Sequence, residues 1–338
     1  MMSRLLAGPP TLTTALWLTV AALILLVFIL LYAAFAVYAH RKILGFMQSR
    51  LGPNRVGPYG LLQTVADGAK LLVKESIVPA QVDRPLYHLA PVIAFAPAIL
   101  VFLVLPWSST LRFSDFAVGL LFYIAVSSLT TVGVLMGGWS SNNKWSLIGA
   151  MRSVAQMLAY EIPLIVSVLG VVVLAGSLNL TDIVEAQRKA WFVFPQILGF
   201  LVFAVSALAE LNRSPFDLSE AESELIGGYL TEYGGMRFAL FMLGEYVYPL
   251  AMGALATALY FGGWYPLPFG GTLPVLSAVP GWIWFLLKAL FLSFIPYWFH
   301  ASFPRMRIDQ LMVFSWKVLF PVSLLNLLVT IVYRALAA

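Results

Sequence analysis

The chain of 338 residues contains no cysteine. It can therefore form no disulfide and supply no thiolate ligand to an iron–sulfur cluster or a zinc ion. Its three histidines, His40, His88 and His300, are too far apart in sequence to form a metal or haem site within one helix. The sequence also lacks a Walker phosphate loop and a GxGxxG fingerprint. Any cluster or nucleotide that serves this protein should be held by a partner chain.

Charge is also scarce. Only 10% of the residues are charged and 61% are apolar, and the mean hydropathy is +0.90, whereas about 25% of an ordinary soluble domain is charged. The composition predicts an all-α integral membrane protein. The first apolar run is too long for a signal-peptide core, so we expect it to be retained as a span. Eight charge-poor runs are each about long enough to cross a bilayer: 14–39, 86–107, 116–139, 154–175, 190–209, 238–264, 282–303 and 313–333.

The basic residues are unevenly distributed between the loops. If the eight runs cross in alternation, one side receives fourteen Lys and Arg residues and the other five, with Lys288 inside a run. The positive-inside rule places the richer side in the cytoplasm and both termini outside. The net charge of +5 could suggest nucleic-acid binding, but in a membrane protein the placement of the basic residues is expected to set the orientation. The two long cytoplasmic loops, 40–85 and 210–237, hold most of the unusual residues.

The first long loop combines a rigid turn with an amphipathic segment. Glycines and prolines in residues 50–58 (RLGPNRVGP) oppose helix formation and favour a fixed turn. Polar Gln63, Asp67, Lys70 and Lys74 then recur at helical spacing, with apolar residues on the opposite side. This pattern predicts a helix in the plane of the membrane interface, with its lysines near the headgroups. The alternative is a surface helix packed on the bundle.

The second long loop is strongly acidic. Arg213 is its one basic residue between 210 and 232, against the six acids Glu210, Asp217, Glu220, Glu222, Glu224 and Glu232. A capping box that begins at Ser219 predicts a short helix, which places Glu220 and Glu224 on one face. Like charges at this spacing repel each other, so each carboxylate raises the pKa of the other and favours its protonation near neutral pH. A solvated loop is the alternative, although the apolar neighbours favour a buried path.

Three charged residues lie at the seventh or eighth position of predicted spans: Glu161, Glu245 and Lys288. Insertion of Asp, Lys or Arg at a helix centre costs roughly 2.5 to 3.5 kcal/mol, so intramembrane charges usually face the bundle interior or a water-filled cavity. Their positions favour a proton relay. The alternative is a structural ion pair between Glu245 and Lys288.

Three segments carry a resemblance to a known family: GPNRVGP at 52–58, SSNNK at 140–144 and ELNRSPFDLSEAESELIGGYLTEY at 210–233. They resemble the H-type membrane subunit of respiratory complex I, the proton-translocating NADH:quinone oxidoreductase. The likeness extends from His40 to the turn at 305–310. It implies a subunit that is not catalytic alone, joins a hydrophilic arm to a membrane arm, and forms much of a quinone-access chamber and the start of a proton path.

The resemblance also implies cofactors and partners. Quinone would be the substrate, iron–sulfur clusters would lie only in partner subunits, and nucleic acid would play no part. The partners would be the other membrane-arm subunits, the quinone-side hydrophilic subunits and the bilayer of a bacterial cell membrane. Related subunits serve enzymes fed by NADH, ferredoxin, reduced deazaflavin or hydrogen.

Individual positions can be carried over from the family. The quinone chamber and its loops would involve Arg41, Arg50, Arg55, Asp67, Lys70, Arg213 and Asp217. The proton path would involve Glu161, Glu210, Glu220, Glu222, Glu224 and Glu245. The chain departs from the family at His40, Ser76 and Ser128, where relatives carry acids. A histidine at position 40 can still exchange a proton near neutral pH.

Two other classes of protein match parts of the pattern. An ion-coupled secondary transporter would also use acids near the membrane centre, but no repeat of two halves is visible in the sequence. A membrane anchor without a chemical role would have no use for the intramembrane acids.

Overall fold

The computed structural model describes residues 12–218, 226–268 and 279–337. Within these ranges the chain is helical and contains no β-strand, and seven helices are long and apolar enough to cross a membrane. The predicted all-α, multi-span class is confirmed. The helices are α1 (Leu12–Met47), α2 (Gln63–Val73), α3 (Arg84–Leu100), α4 (Gly119–Ser140), α5 (Lys144–Ala175), α6 (Leu180–Ala186), α7 (Ile197–Glu210), α8 (Gly235–Tyr260), α9 (Gly281–Ser302), α10 (Ile308–Phe314) and α11 (Phe320–Ala337).

The fifth apolar run forms a shorter helix than its length predicts. Helix α7 has 14 residues and is about 21 Å long at 1.5 Å per residue, against a hydrocarbon core of roughly 30 Å. A turn precedes it, in which the Gln196 N–H donates to the Phe192 carbonyl at 2.9 Å. The run 190–209 is therefore partly turn and partly helix.

Two helices continue beyond their apolar runs. Helix α1 ends at Met47, so His40 and Arg41 belong to a helix and not to the loop predicted at 40–85. Helix α5 begins at Lys144, where the Asn143 side chain accepts the Trp145 N–H at 3.0 Å as an N-cap. Most of the predicted loop 140–153 is therefore helix. Hydropathy marks the apolar stretch, whereas backbone hydrogen bonds continue past its end.

The longer helices run in alternating directions, so the loops gather at two ends of the bundle; these helices are α1, α3, α4, α5, α7, α8, α9 and α11, the last of which continues from α10. At one end, which we call end A, the Asp83 N–H donates to the Ser140 carbonyl at 3.1 Å and the Met306 N–H to the Pro215 carbonyl at 3.0 Å. End A contains the connections 47–84, 140–144 and 302–308 and, of the connection after α7, the described residues 210–218 and 226–235. These are the loops that hold most of the basic residues.

The opposite end, end B, contains the connections 103–119 and 175–197 and, of the connection after α8, the described residues 260–268 and 279–281. There the Leu120 N–H donates to the Leu178 carbonyl at 3.1 Å. Lys288 of α9 binds the segment just after the C-terminus of α8, where its Nζ donates to three backbone carbonyls. The acceptors are Phe261 at 2.7 Å, Gly263 at 3.1 Å and Tyr265 at 2.5 Å.

A buried amide network attaches the last helix to the bundle. Asn326 of α11 donates to Gln196 at 2.7 Å, and Gln196 donates to the Thr330 hydroxyl at 2.5 Å. Glycines make room for these side chains, because a Cβ on Gly170 or Gly199 would lie 2.9 or 2.8 Å from the Gln196 side-chain oxygen. Small residues and interhelical amide bonds hold helices together where lipid offers no hydrophobic driving force.

Helix α8 lies at the centre of the bundle. It packs against α1, α2, α3 and α9, and 72% of its most apolar 18-residue stretch is buried. The mean hydropathy of that stretch, 1.4, is nevertheless the lowest of the seven described spans. Gly253 permits the close approach of α9, since a Cβ there would lie 2.6 Å from the Ala289 carbonyl oxygen. Side chains on α8 therefore reach the interior of the protein.

The predicted amphipathic helix is α2, which contacts α1 and α8. None of its eleven residues is fully buried, and Val65 and Leu72 stay exposed on its surface. The predicted rigid turn precedes it. Gly60 is required there, because its φ is +82° and a Cβ would lie 2.2 Å from the Pro53 carbonyl oxygen.

Candidate functional site

A cavity of about 470 Å³ lies at end A between α1, α2 and α8. Its walls are mostly apolar and include Ala33 and Ala34 of α1, Gly68 and Leu71 of α2, and Met242 of α8. Its volume is in the range of about 300 to 1,000 Å³ that is usual for small-molecule sites. The small residues of α1 and α2 leave the space open.

The mouth of the cavity is polar. Arg41 Nη1 lies 2.5 Å from Asp67 Oδ2, and Gln63 donates to the other carboxylate oxygen of Asp67 at 3.0 Å. The structure therefore brings together two of the predicted chamber residues, one from α1 and one from α2. Three others, Arg50, Arg55 and Lys70, are exposed at end A and do not line the cavity.

Tyr246 of α8 connects the cavity to a buried polar cluster. It lines the cavity, and its hydroxyl lies 3.0 Å from His40 Nδ1. The His40 ring is 5.1 Å from the His300 ring and 5.2 Å from the Tyr297 ring, measured between centroids. The Ser214 N–H donates to His300 Nδ1 at 3.4 Å. We call His40, Arg213, Tyr246, Tyr297 and His300 the histidine cluster.

Arg213 supplies the charge of the histidine cluster. It is 4% exposed, lies 2.8 Å from Glu245 Oε1, and stacks over the Tyr246 and Tyr297 rings at 4.8 and 5.7 Å from their centroids. The alternative prediction of a Glu245–Lys288 pair is wrong, since Lys288 bonds to backbone at end B. Removal of one partner from a buried ion pair costs about 3 to 5 kcal/mol, because the other charge is left uncompensated.

A second buried carboxylate, Asp217, lies on the loop after α7 that also carries Arg213. Asp217 is 5% exposed, and Arg305 of the turn after α9 donates to it at 3.0 Å. Asp217 lies outside the lining of the cavity between α1, α2 and α8. This predicted site residue therefore belongs to the junction of two end A loops and not to the chamber wall.

A small cavity of about 50 Å³ is lined by both Glu245 and Glu210. Ser127 and Thr130 of α4 and Tyr248 of α8 add hydroxyl groups to its wall. One water needs only about 10 to 15 Å³ and several polar partners, so this space suits bound water. Two of the predicted proton-path acids thus face a common polar space.

The remaining predicted acids are placed differently. Glu161 of α5 accepts a hydrogen bond from Ser128 of α4 and does not line the small cavity. Ser128, which stands where some relatives have an acid, therefore acts as a hydroxyl donor. Glu220, Glu222 and Glu224, with the helix predicted from Ser219, lie outside the described residues.

Sequence reasoning missed the tyrosines and Arg305. Tyr246 and Tyr297 sit in apolar runs, where a tyrosine is typical of a packed core or a membrane interface. Near the same end, Tyr233 stacks on Tyr87 with ring centroids 4.3 Å apart. Burial raises the pKa of the Tyr233 hydroxyl to about 12, so it remains a donor, to the Tyr87 carbonyl at 3.3 Å. Ser76, the third departure from the family, accepts from Arg237 at 3.0 Å.

The fold and the site define a multi-span membrane protein in which an apolar cavity adjoins a buried chain of ionisable groups. The family model described as NADH dehydrogenase matches residues 20–331. The H-type subunit of NADH-quinone oxidoreductase from Brevibacillus brevis is 55% identical over 98% of this chain and 97% of its own length. The corresponding subunits from Geobacillus kaustophilus and Bacillus mycoides are 56% and 52% identical, over 95% and 99% of each chain.

The chain therefore belongs to this family: it is an H-type membrane subunit of bacterial NADH-quinone oxidoreductase, complex I. It works with the other subunits of that complex, and quinone is the substrate of the enzyme. The family resemblance read from the acidic loop is confirmed.

Proposed function

We propose that this subunit forms the quinone-access chamber of the complex and the first part of its proton path. The carrying observation is a line of polar groups that begins in an apolar cavity and is joined by direct contacts as far as Glu245. From Tyr246 in the cavity wall, contacts lead to His40 and Arg213, then to Glu245, and across the small cavity to Glu210. The apolar wall suits an isoprenoid tail, and Arg41 and Tyr246 offer donors to a headgroup carbonyl.

Coupling would arise from charge. Electrons reach the quinone from a partner's iron–sulfur cluster, because this chain has no cysteine to hold one. A unit charge that appears about 10 Å from a carboxylate, at an effective dielectric constant of about 20, changes its energy by about 1.7 kcal/mol. That is enough to alter proton binding about tenfold or more. Glu245 and Glu210 would respond to quinone reduction in this way.

The distribution of charge supports an orientation and a docking side. The loops rich in basic residues meet at end A, which would therefore face the cytoplasm, with both termini outside. Loops 40–85 and 210–237 would form the surface for the quinone-side hydrophilic subunits, to which Arg50, Arg55 and Lys70 are exposed. Lipid-exposed helix faces would meet the bilayer and the other membrane-arm subunits.

The chamber can be tested by filling it. No heavy atom lies within 4 Å of an ideal Cβ on Gly68, which lines the cavity, so the Cβ of Gly68→Phe meets no clash and its ring would take up cavity space. We expect a lower rate with quinone and an unchanged rate with an artificial acceptor. Gly234→Phe is the matched control, because Gly234 also has open space but lies outside the cavity. Wild-type quinone kinetics in Gly68→Phe would refute the chamber.

The proton path needs a separate measurement. Glu210→Gln removes an ionisable group from the small cavity while keeping its size, and Glu220→Gln and Glu224→Gln do so in the acidic loop. In proteoliposomes each should lower quinone turnover and proton pumping. Glu232→Gln is the control, because Glu232 accepts from Asn143 at 2.7 Å and lines neither cavity. Full pumping in all three variants would contradict the path.

A further inference from the structure

We infer that Ser315 is a positioning residue for Glu161, because its hydroxyl fixes the turn of α5 from which that carboxylate bonds to Ser128 of α4. The inference rests on the proposed proton path, to which it adds Glu161. Glu161 lies close enough to Glu210 for their charges to interact, so it continues the path beyond the small cavity. Ser315 is uncharged and lines neither cavity.

The first observation is a missing hydrogen bond within α5, at the turn that carries Glu161. Pro163 lies inside this helix, and a proline has no N–H to donate. The carbonyl of Ala159, four residues earlier, therefore lacks its regular α-helical partner. Ala159 is 3% exposed, so bulk water does not reach this carbonyl and another group of the protein must supply a donor.

The second observation is that the donor comes from the last span. Between α10 and α11 the chain forms a π-helical turn, Ser315–Leu319, and the Ser315 hydroxyl donates to the Ala159 carbonyl at 2.6 Å. In the opposite direction, the Tyr160 hydroxyl of α5 donates to the Leu311 carbonyl of α10 at 3.0 Å. Ser315, Tyr160 and Leu311 are all 0% exposed. Two buried hydroxyl–carbonyl bonds thus fasten this turn of α5 to the last span.

The Ser315 hydroxyl differs from that of a typical helical serine. Ser323, in the same span and equally buried, donates to the Phe320 carbonyl of its own helix at 2.7 Å. Ser315 instead bonds to a different helix. The π-helical turn in which it lies is a rare conformation that occurs frequently at functional sites. The local structure of the last span therefore serves the neighbouring helix α5.

The position of this turn determines where the Glu161 carboxylate lies. Helices α4 and α11 both pack on α5, and the same turn bonds to α4 through Glu161 and to the last span through Ala159. A carboxylate at about 5 to 6 Å from the helix axis moves by about 2 Å when the helix rotates by about 20°. Such a shift would break the bond to Ser128, because N–H and O–H donors must lie within about 3.2 Å of the acceptor.

The test measures quinone kinetics and proton pumping in the reconstituted complex, with rates expressed relative to the rate with an artificial acceptor. We expect Ser315→Ala to lower kcat about tenfold, since misplacement by about 1 Å can cost about 100-fold. The KM for quinone should hold, because Ser315 lines neither cavity. Ser323→Ala is the matched control and should have wild-type kinetics, because its hydroxyl bonds within its own helix.

A second variant separates positioning from the mere pairing of a buried carbonyl. In Pro163→Ala/Ser315→Ala, residue 163 has an N–H for the Ala159 carbonyl, so this group stays paired and the complex should assemble. The variant should remain slow, because the Ser315 hydroxyl no longer fastens α5 to the last span. In a Ser128→Ala background, Ser315→Ala should have no further effect, because both serines act through the Glu161 carboxylate.

Any one of four results would overturn the inference. They are a wild-type kcat in Ser315→Ala, a wild-type kcat in Pro163→Ala/Ser315→Ala, an additional loss when Ser315→Ala is combined with Ser128→Ala, and an equal loss in Ser323→Ala.

Glu161→Gln and Glu210→Gln separate this inference from the proposal on which it rests. If both slow turnover and pumping while Ser315→Ala does not, the path stands and the positioning role fails. If only Glu210→Gln is slow, the path stands without Glu161 and the inference fails. If both behave as wild type, these acids do not carry the path and the inference fails with that part of the proposal.

Discussion

Arg41→Ala tests the mouth of the cavity with little risk to the fold. The Arg41 and Asp67 side chains are 43% and 33% exposed, although their charged atoms are only 2.5 Å apart. Exposed ion pairs contribute about 0.2 to 1 kcal/mol to stability, because water screens the charges. The variant should therefore assemble normally and transfer electrons to an artificial acceptor at the wild-type rate.

The effect on quinone should be larger than the effect on stability. A hydrogen bond from a guanidinium to a headgroup carbonyl contributes about 1.5 to 3 kcal/mol. Its loss should raise the KM for a long-tailed quinone about 10- to 150-fold, since about 1.4 kcal/mol corresponds to a factor of ten. A short-tailed analogue should suffer less, because it can enter the chamber from water and need not pass the headgroup contact with Arg41 on the route from the membrane.

Steady-state kinetics in proteoliposomes, with quinones that differ only in tail length, measure this difference. Lys42→Ala is the matched control, since Lys42 is the next basic residue of α1 and does not line the cavity. Equal losses for both quinones, or an unchanged KM for the long-tailed one, would refute the placement of Arg41 at a membrane doorway.

Three further predictions concern the membrane topology, the hydrogen bonds of Lys288 and the hydrogen bond between Asn326 and Gln196. Single cysteines at Asn142 and Ser109, in a chain that has none, should be labelled from opposite faces of the membrane; labelling from one face would contradict the topology. Lys288→Met should lower the thermal stability of the protein by about 2 kcal/mol or more, because three carbonyls lose their donor, and Lys288→Arg should recover most of it. Asn326→Leu should cost about 1 to 3 kcal/mol through the unpaired Gln196 amide, measured as earlier heat-induced loss of the protein from the complex; an unchanged midpoint would show that α11 is held by packing alone.

Much of the fold could be predicted because a bilayer permits few structures. Backbone groups must be satisfied within each segment, so long apolar runs become helices, and a polar face at helical spacing becomes an interfacial helix such as α2. The early start of α5 at Lys144 and the short α7 could not be predicted in this way. Hydropathy describes solvent preference, whereas helix ends depend on caps and local hydrogen bonds such as those of Asn143 and Gln196.

The sequence indicated which charged residues belong to the candidate site, but not which of them pair with each other. Charges inside apolar stretches identified Glu245, and the acidic loop identified Arg213, but the one ion pair considered from the sequence, as an alternative to a proton relay, joined Glu245 to Lys288. Pairing depends on which end of the bundle a residue reaches, and Lys288 lies at end B whereas Arg213 lies at end A. Tyr246 carried no sequence signal, because its role depends on the cavity beside it.

The central position of α8 has a consequence for the order in which the protein enters the membrane. Its low mean hydropathy and its buried glutamate make it the span least suited to meet lipid alone. During synthesis, however, α1, α2 and α3 precede it, and so does Arg213, the partner of Glu245. Of the helices named above that enclose α8, only α9 is made later. Helix α8 therefore enters the membrane when three of its neighbouring helices are already there. A rearranged chain in which α8 is synthesised first would expose Glu245 to the bilayer without its counterion.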